Sequence, residues 1–290
     1  MITTLPRVDP GALKTTLQHI VGERSPFSGR HHLAAVEAYI EREFKAYGLA
    51  VESDAFTHWG SSYRNLIARA GPARSASLII LGAHFDSVEG SPGADDNASG
   101  VAVLLEAARI LARLNLRSQV LFCAFNLEEL NMVGSSHFAR RLKAQRTKIS
   151  AMVSLEMVGF TEVRAGGQKY PPGLRWFYPD RGNFIGVIGN WRSGVLLRHF
   201  SSHMRRVPQL AVETLTVLGN GFLLPQVRLS DHAPFWDLGY PALLVTDTAF
   251  FRNPHYHGAS DTLQTLDLSF MANVCQGVVA GVLALQNPWG

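Results

Sequence analysis

Cysteine is scarce: Cys123 and Cys275 are the only two in 290 residues. That excludes a disulfide framework and, with no pair at ligand spacing, a thiolate-held structural zinc. Cys123 falls in an apolar strand-like run and Cys275 in an apolar helix-like one, so both are expected to be buried free thiols. Runs of one charge are missing as well. Arg140-Arg141 and Arg205-Arg206 are short pairs and the net charge of +4 is mild, so no nucleic-acid partner is expected. A membrane span is lacking too. From Phe270 onward there is no charged side chain, but Asn273, Gln276, Gln286, Asn287 and Pro288 interrupt the run. The apolar stretch 277–285 falls far short of the roughly 20 residues a span needs. Met1 to Asp9 has no basic segment leading into an apolar one, so no signal peptide is read and a cytoplasmic location is expected.

What is present is a globular balance, 47% hydrophobic and 17% charged, in a length that suits one domain over residues 1–290. Asp9-Pro10 reads as the start of a helix running to about 21, and a second helix is expected over 33–47, stopped by Gly48. Strands at 51–56 and 63–70 pair across Trp59-Gly-Ser-Ser. A βα alternation follows: strands at 78–83, 119–125 and 150–155, with helices at 99–114 and 135–148 between them. Residues 161–183, rich in Gly, Pro, Tyr and Arg, read as a long surface excursion. A strand at 184–189, a helix at 193–205, a strand at 242–246 and a terminal helix complete the pattern. Nothing is assigned between 206 and 241. Strands alternating with helices predict an α/β fold, a three-layer α/β/α sandwich around a mostly parallel, mixed and twisted sheet.

Ligand-type side chains follow the strand ends. Leu78-Ile-Ile-Leu-Gly-Ala-His84-Phe-Asp86 is an apolar run that delivers a His-X-Asp pair, and Asp95-Asp96 follows on a glycine-flanked turn. Glu128-Glu129 comes after the next strand, then Glu156, then Asp247, His257 and Asp261. In an open α/β sheet these converge on the carboxyl edge, where ligands bind. Carboxylates crowded there repel one another unless a cation joins them. Two imidazoles and three carboxylates suit two zinc ions that share one bridging carboxylate, with a further carboxylate free for proton transfer.

His84-Phe-Asp86, Pro92-Gly-Ala-Asp-Asp96-Asn-Ala-Ser-Gly100, Glu128-Glu129 with Gly134-Ser135, Glu156-Met-Val-Gly159, Ser230-Asp-His-Ala-Pro-Phe235 and Tyr256-His257-Gly-Ala-Ser-Asp261-Thr262 occur in a telling order. Over residues 60 to 265 the chain resembles the bacterial leucyl aminopeptidase-like family of co-catalytic zinc peptidases. The resemblance implies a zinc-exopeptidase-like fold, two zinc ions per chain and a peptide substrate. It makes Asp96 the metal bridge, His84 and Glu156 the ligands of one ion, and Glu129 and His257 those of the other. Glu128 would be the general base acting on a bridging hydroxide, Asp86 would orient the His84 ring, and the Asp96–Asn97 peptide would be cis. Glu156 departs from the family, whose better-known members carry Asp, and Asp95 is the alternative to Asp96.

His232 and Asp231 are candidates for a supporting or substrate-facing place. Arg252 and Tyr256 are candidates to orient a substrate carbonyl or carboxylate, or to brace their loop. Tyr170, Trp176, Phe177 and Tyr178 are candidate walls of a specificity pocket. The reading is a metallo-aminopeptidase. Its rivals are carboxypeptidase or dipeptidase action, a glutaminyl cyclase on the same fold with a single zinc, and a non-catalytic scaffold. Substrate preference and oligomeric state do not follow from these motifs.

Overall fold

Helix α1 (Pro10–Ile20) begins where Asp9 Oδ1 accepts a hydrogen bond from Gly11 N at 2.9 Å, and it turns Leu13, Leu17 and Ile20 inward. The computed structural model describes residues 7–73, 75 and 78–287; residues 1–6 and Pro288, considered above, lie outside them. Helix α2 (Arg30–Ala46) buries Leu33, Val36, Ile40 and Phe44 on one stripe. Strands β1 (Ala50–His58) and β2 (Ser61–Ala70) form a hairpin in which His58 pairs with Ser61. Its two-residue loop has φ of 48° at Trp59 and 75° at Gly60, the left-handed backbone that matches the twist of a tight hairpin.

The alternating units are β3 (Leu78–His84), α3 (Gly100–Leu111), β4 (Gln119–Phe125), α4 (Val133–Ala144) and β5 (Ile149–Glu156). Then come β6 (Phe184–Asn190), α5 (Gly194–Met204), β7 (Ala211–Val217), α6 (Ala233–Asp237), β8 (Ala242–Thr246) and α7 (Leu268–Ala284). One eight-stranded sheet holds every strand, in the order β1-β2-β4-β3-β5-β8-β6-β7. β4, β3, β5 and β8 are parallel, so their carboxyl ends share one edge. β2 and β6 run the other way at the flanks, and β7 follows β6.

Helices α1, α2, α3, α5 and α7 pack on one face and α4 and α6 on the other, which makes the three-layer sandwich. Strand β7 and the short helix α6 are the elements left unassigned above. Ala-Val-Glu-Thr-Leu-Thr-Val alternates weakly because β7 is an edge strand with few buried positions, so hydrophobicity does not mark it. Helix α4 is shorter than expected, since Gln145, Arg146 and Thr147 already turn toward β5.

Helix α7 is the uncharged terminal segment, buried against α1, α3 and α5. No helix among the described residues is long and apolar enough to cross a membrane. Its glycines permit the closeness: a Cβ on Gly281 would sit 2.4 Å from Phe200 Cε2. Ala is favoured over Gly in a helix by up to ~1 kcal/mol, whereas overpacking a core costs ~1–3 kcal/mol. We therefore expect Gly281→Ala to lower the urea midpoint; a raised midpoint would show that the α5–α7 contact yields easily.

Candidate metal centre

Three strand ends and two loops supply the side chains. His84 is the last residue of β3 and Glu156 the last of β5. Glu128 and Glu129 follow β4, Asp96 lies in the turn before α3, and His257 lies in the loop after β8. All except His257 and the partly exposed Glu128 and Glu129 are buried. Leu127, Met157 and His257 have positive φ (59°, 48° and 58°), a backbone that is unfavourable for non-glycine residues and that here aims neighbouring side chains across the sheet edge.

Asp96 is the centre of the cluster. Its Oδ1 lies 3.3 Å from His84 Nε2 and its Oδ2 lies 3.1 Å from His257 Nε2. His84 Nε2 is also 3.2 Å from Glu156 Oε1, and His257 Nε2 is 3.4 Å from Glu129 Oε2. Two ligand groups result, His84–Asp96–Glu156 and Asp96–Glu129–His257, and within each the ligand atoms lie within 4.8 Å of one another. A third group joins His84 to Glu128 and Glu129. The Asp96–Asn97 peptide is cis.

The turn spends its other polar groups on holding Asp96. Asp95 points away, accepting from Gly159 N at 2.9 Å and Asn253 Nδ2 at 2.7 Å. Asn97 bridges to Leu155 O and Met157 N, and Ser99 to Asp95 O and Val158 N. The Asp261 carboxylate accepts from the backbone N–H of both Asp95 and Asp96. Asp86 lies 3.4 Å from His84 Nδ1, and it also accepts from Glu128 N (3.0 Å) and Glu129 N (3.1 Å). Asp86 thus sets the ring of one ligand and the backbone of two other site residues.

Electrostatics test whether these residues fit a cation. Burial pushes Glu129 up to about 7 and raises Glu128 and Glu156 well above or above the usual carboxylate range. Burial would raise Asp96 as well, but hydrogen bonds from His257 and His84 hold it far down. Burial disfavours imidazolium, yet the facing carboxylates raise His84 and lift His257 to about 10. A divalent cation would relieve the same crowding, and the imidazole and carboxylate donors are of the kind zinc accepts. The donor set fits divalent cations of that kind.

Arg24, unmarked in the sequence, sits under this edge. It is fully buried, with Nε on Phe85 O and Nη1 on Pro92 O and Nη2 on Gly93 O, each at 2.7 Å. Burial lowers it to about 10, and Asp96, Asp86 and Asp261 keep it charged. Ser230 was also missed as a supporting residue: its hydroxyl donates to Glu156 Oε2 at 2.7 Å, so the longer carboxylate is pinned.

A cavity of about 380 Å³ opens from the cluster, bordered by Asp96, Glu128, Glu129, Glu156, Tyr256 and His257. Tyr170 and Tyr178 line it, while Trp176 and Phe177 do not and stand 74% and 80% exposed. Tyr256 stacks on His257 with ring centroids 3.7 Å apart. His232 is off the wall: it is buried, bonds Val227 O at 2.8 Å and packs on Trp236. Asp231 is buried beside it and pushed up to about 7 by burial. Arg252 is off the wall too, buried with Nε on Gln168 Oε1 and Nη1 on Phe184 O. It braces the loop instead of facing a substrate.

The sequence model of peptidase family M28 matches residues 65–282. The chain belongs to peptidase family M28. This is a family of co-catalytic zinc metallopeptidases, and the matches support a metallo-aminopeptidase hydrolase. The Escherichia coli protein YfbL, described as uncharacterized, is 35% identical over 283 residues, 93% of this chain and 86% of that one. LapA aminopeptidase of Legionella pneumophila shares the fold with a TM-score of 0.72 at 22% identity, over 98% of this chain and 71% of that one. A Porphyromonas gingivalis glutaminyl cyclase does so at 0.71 and 21%, over 95% and 98%. A Bacillus subtilis zinc aminopeptidase aligns at 0.59 and 25%, over 77% and 50%. The chain spans about half the length of the fungal leucine aminopeptidases that it also matches.

Replacing Arg24 by Met would strand several buried carbonyls and remove the cation under the M28 cluster. We expect a stability loss of ~3–5 kcal/mol, read from urea unfolding. A loss below ~1 kcal/mol would show that water replaces the guanidinium there.

Proposed function

We propose that the chain is a zinc-dependent aminopeptidase that holds two zinc ions and uses Glu128 as general base. The observation that carries this reading is Asp96, whose two carboxylate oxygens each face a different ligand group. His84 and Glu156 would hold one ion, Glu129 and His257 the other, and Asp96 both. When bound, the ions supply Lewis acidity, polarising a carbonyl and acidifying water.

Glu128 does the proton transfer. Its carboxyl borders the cavity, stands 3.9 Å from His84 Nε2 and is raised by burial, which suits exchange near neutral pH. In the reaction a water oxygen bonds to the peptide carbonyl carbon and the C–N bond breaks. The water proton passes through Glu128 to the departing nitrogen. Asp86 keeps Glu128 in place by accepting from its backbone N–H.

Charge favours the amino end of a peptide over the carboxyl end. Holding a terminal carboxylate calls for a fixed cation. Arg252 is withdrawn from the wall, which leaves Lys169 as the lining Lys or Arg among the described residues. A second reading, glutaminyl cyclisation, is favoured by the cyclase fold that covers nearly all of both chains.

We expect chelation to lower the melting temperature and zinc to restore it, saturating near two equivalents by mass spectrometry of metal content. Glu128→Gln should keep both ions and lose roughly 10²–10⁴-fold in kcat; unchanged turnover would remove Glu128 from the reaction. Peptides with free, acetylated and glutaminyl N-termini separate the readings. Single-residue release from free ends alone supports the aminopeptidase, C-terminal trimming supports carboxypeptidase action, and ammonia loss from N-terminal glutamine alone supports a cyclase.

A further inference from the structure

The cavity runs away from the metal cluster along β6 and β7. Glu156 of β5 pairs with Thr246 of β8, Thr246 with Gly186 of β6, and Gly186 with Glu213 of β7. Residues directly paired across strands share a face, so this row has a glutamate at each end on the same side of the sheet. With strands ~4.8 Å apart, three spacings put the two Cα atoms roughly 14 Å apart. Between them stand a small threonine and a glycine, so the floor is open. The neighbouring row, Leu244–Ile188–Leu215, is apolar, and Leu224 and Val227 close the opposite wall.

Glu213 borders the same cavity. Among the described residues its carboxylate has no hydrogen bond and no ion pair. Lys169, also on the wall, does not reach it. Arg205, the cation nearest in effect, directs its donors to Val212 O and Ser201 Oγ. Burial raises the Glu213 carboxyl and Arg205 offsets this only in part. An under-solvated carboxylate therefore ends an apolar trough that starts at the reacting centre.

We propose that Glu213 selects a basic residue, lysine or arginine, at the N-terminus of the substrate, a refinement that rests on the aminopeptidase reading. The apolar rows take the aliphatic stem and the carboxylate takes the cationic head. A leucine side chain fills only the near part of the trough and leaves Glu213 unpaired in a partly dry place, which penalises it. Glu213 lies far from the scissile bond, so its effect falls mainly on KM.

The experiment is steady-state kinetics of zinc-loaded protein on Lys, Arg, Leu and Glu aminoacyl-coumarin amides, comparing wild type with Glu213→Gln, Glu213→Asp and Glu213→Lys. Wild type should prefer Lys and Arg. Glu213→Gln should lose about ten- to a hundredfold in kcat/KM on those two substrates, chiefly through KM, and change little on Leu. Glu213→Asp should recover part of the loss and Glu213→Lys should improve Glu substrates, which no merely structural role would produce. A wild-type preference for Leu with a ratio unmoved by Glu213→Gln overturns the inference and leaves the aminopeptidase standing. A preference for Glu overturns it in favour of Lys169. No release from any free N-terminus by metal-loaded protein overturns the aminopeptidase reading, and this inference with it.

Discussion

Mutual repulsion among buried carboxylates is the constraint that the rest of the molecule answers. Asp95, Asp96, Asp86, Glu128, Glu129, Glu156, Asp247 and Asp261 all gather at one edge of the sheet. Such a gathering is unstable alone in a medium of low dielectric, and each member is stabilised differently. Asp86 and Asp261 accept backbone N–H groups. Burial raises both Asp95 and Asp247, Asp247 to about 6, and each acts on the other. Arg24 supplies a buried positive charge below the turn. What remains, Asp96 with Glu129, Glu156 and two histidines, is the part left for cations.

Support and chemistry are divided cleanly along the chain. The parallel strands β3, β4, β5 and β8 bring their carboxyl ends into one line, and the residues at or after those ends form the cluster. Residues one position away hold the backbone. Asp95 braces against Gly159 and Asn253 while Asp96 faces inward, which is how two adjacent aspartates have different work. Ser230 restrains the Glu156 carboxylate through its hydroxyl. The flank of β6 and β7 borders the cavity together with Leu224, Val227 and Tyr178.

Much of this was legible in the chain. The charge-free run Leu78 to Ala83 ending in His84-Phe-Asp86 marks a buried strand that delivers ligands, because apolar strands and titratable residues obey local rules. The order of the strand-end motifs placed His84, Asp96, Glu128, Glu129, Glu156 and His257 together, and all of them meet at one edge. Arg24 carried no signal, since a lone polar residue in a loop looks the same whether it is solvated or buried under a site. Arg252 and His232 show the converse: each is a candidate substrate-facing residue in the sequence, yet its side chain is turned into the protein.

The sequence by itself determined the element types, the parallel centre of the sheet and the identity of the donor side chains. Those follow from periodicity, composition and donor chemistry, which are properties of neighbouring residues. Tertiary structure alone decided that β7 completes the sheet, that Asp96 and not Asp95 faces the two histidines, and that Glu213 shares a face and a row with Glu156. Such facts depend on strand register and on which way a turn rotates its side chains. Register is set by contacts between residues far apart in the chain, and no local pattern records it.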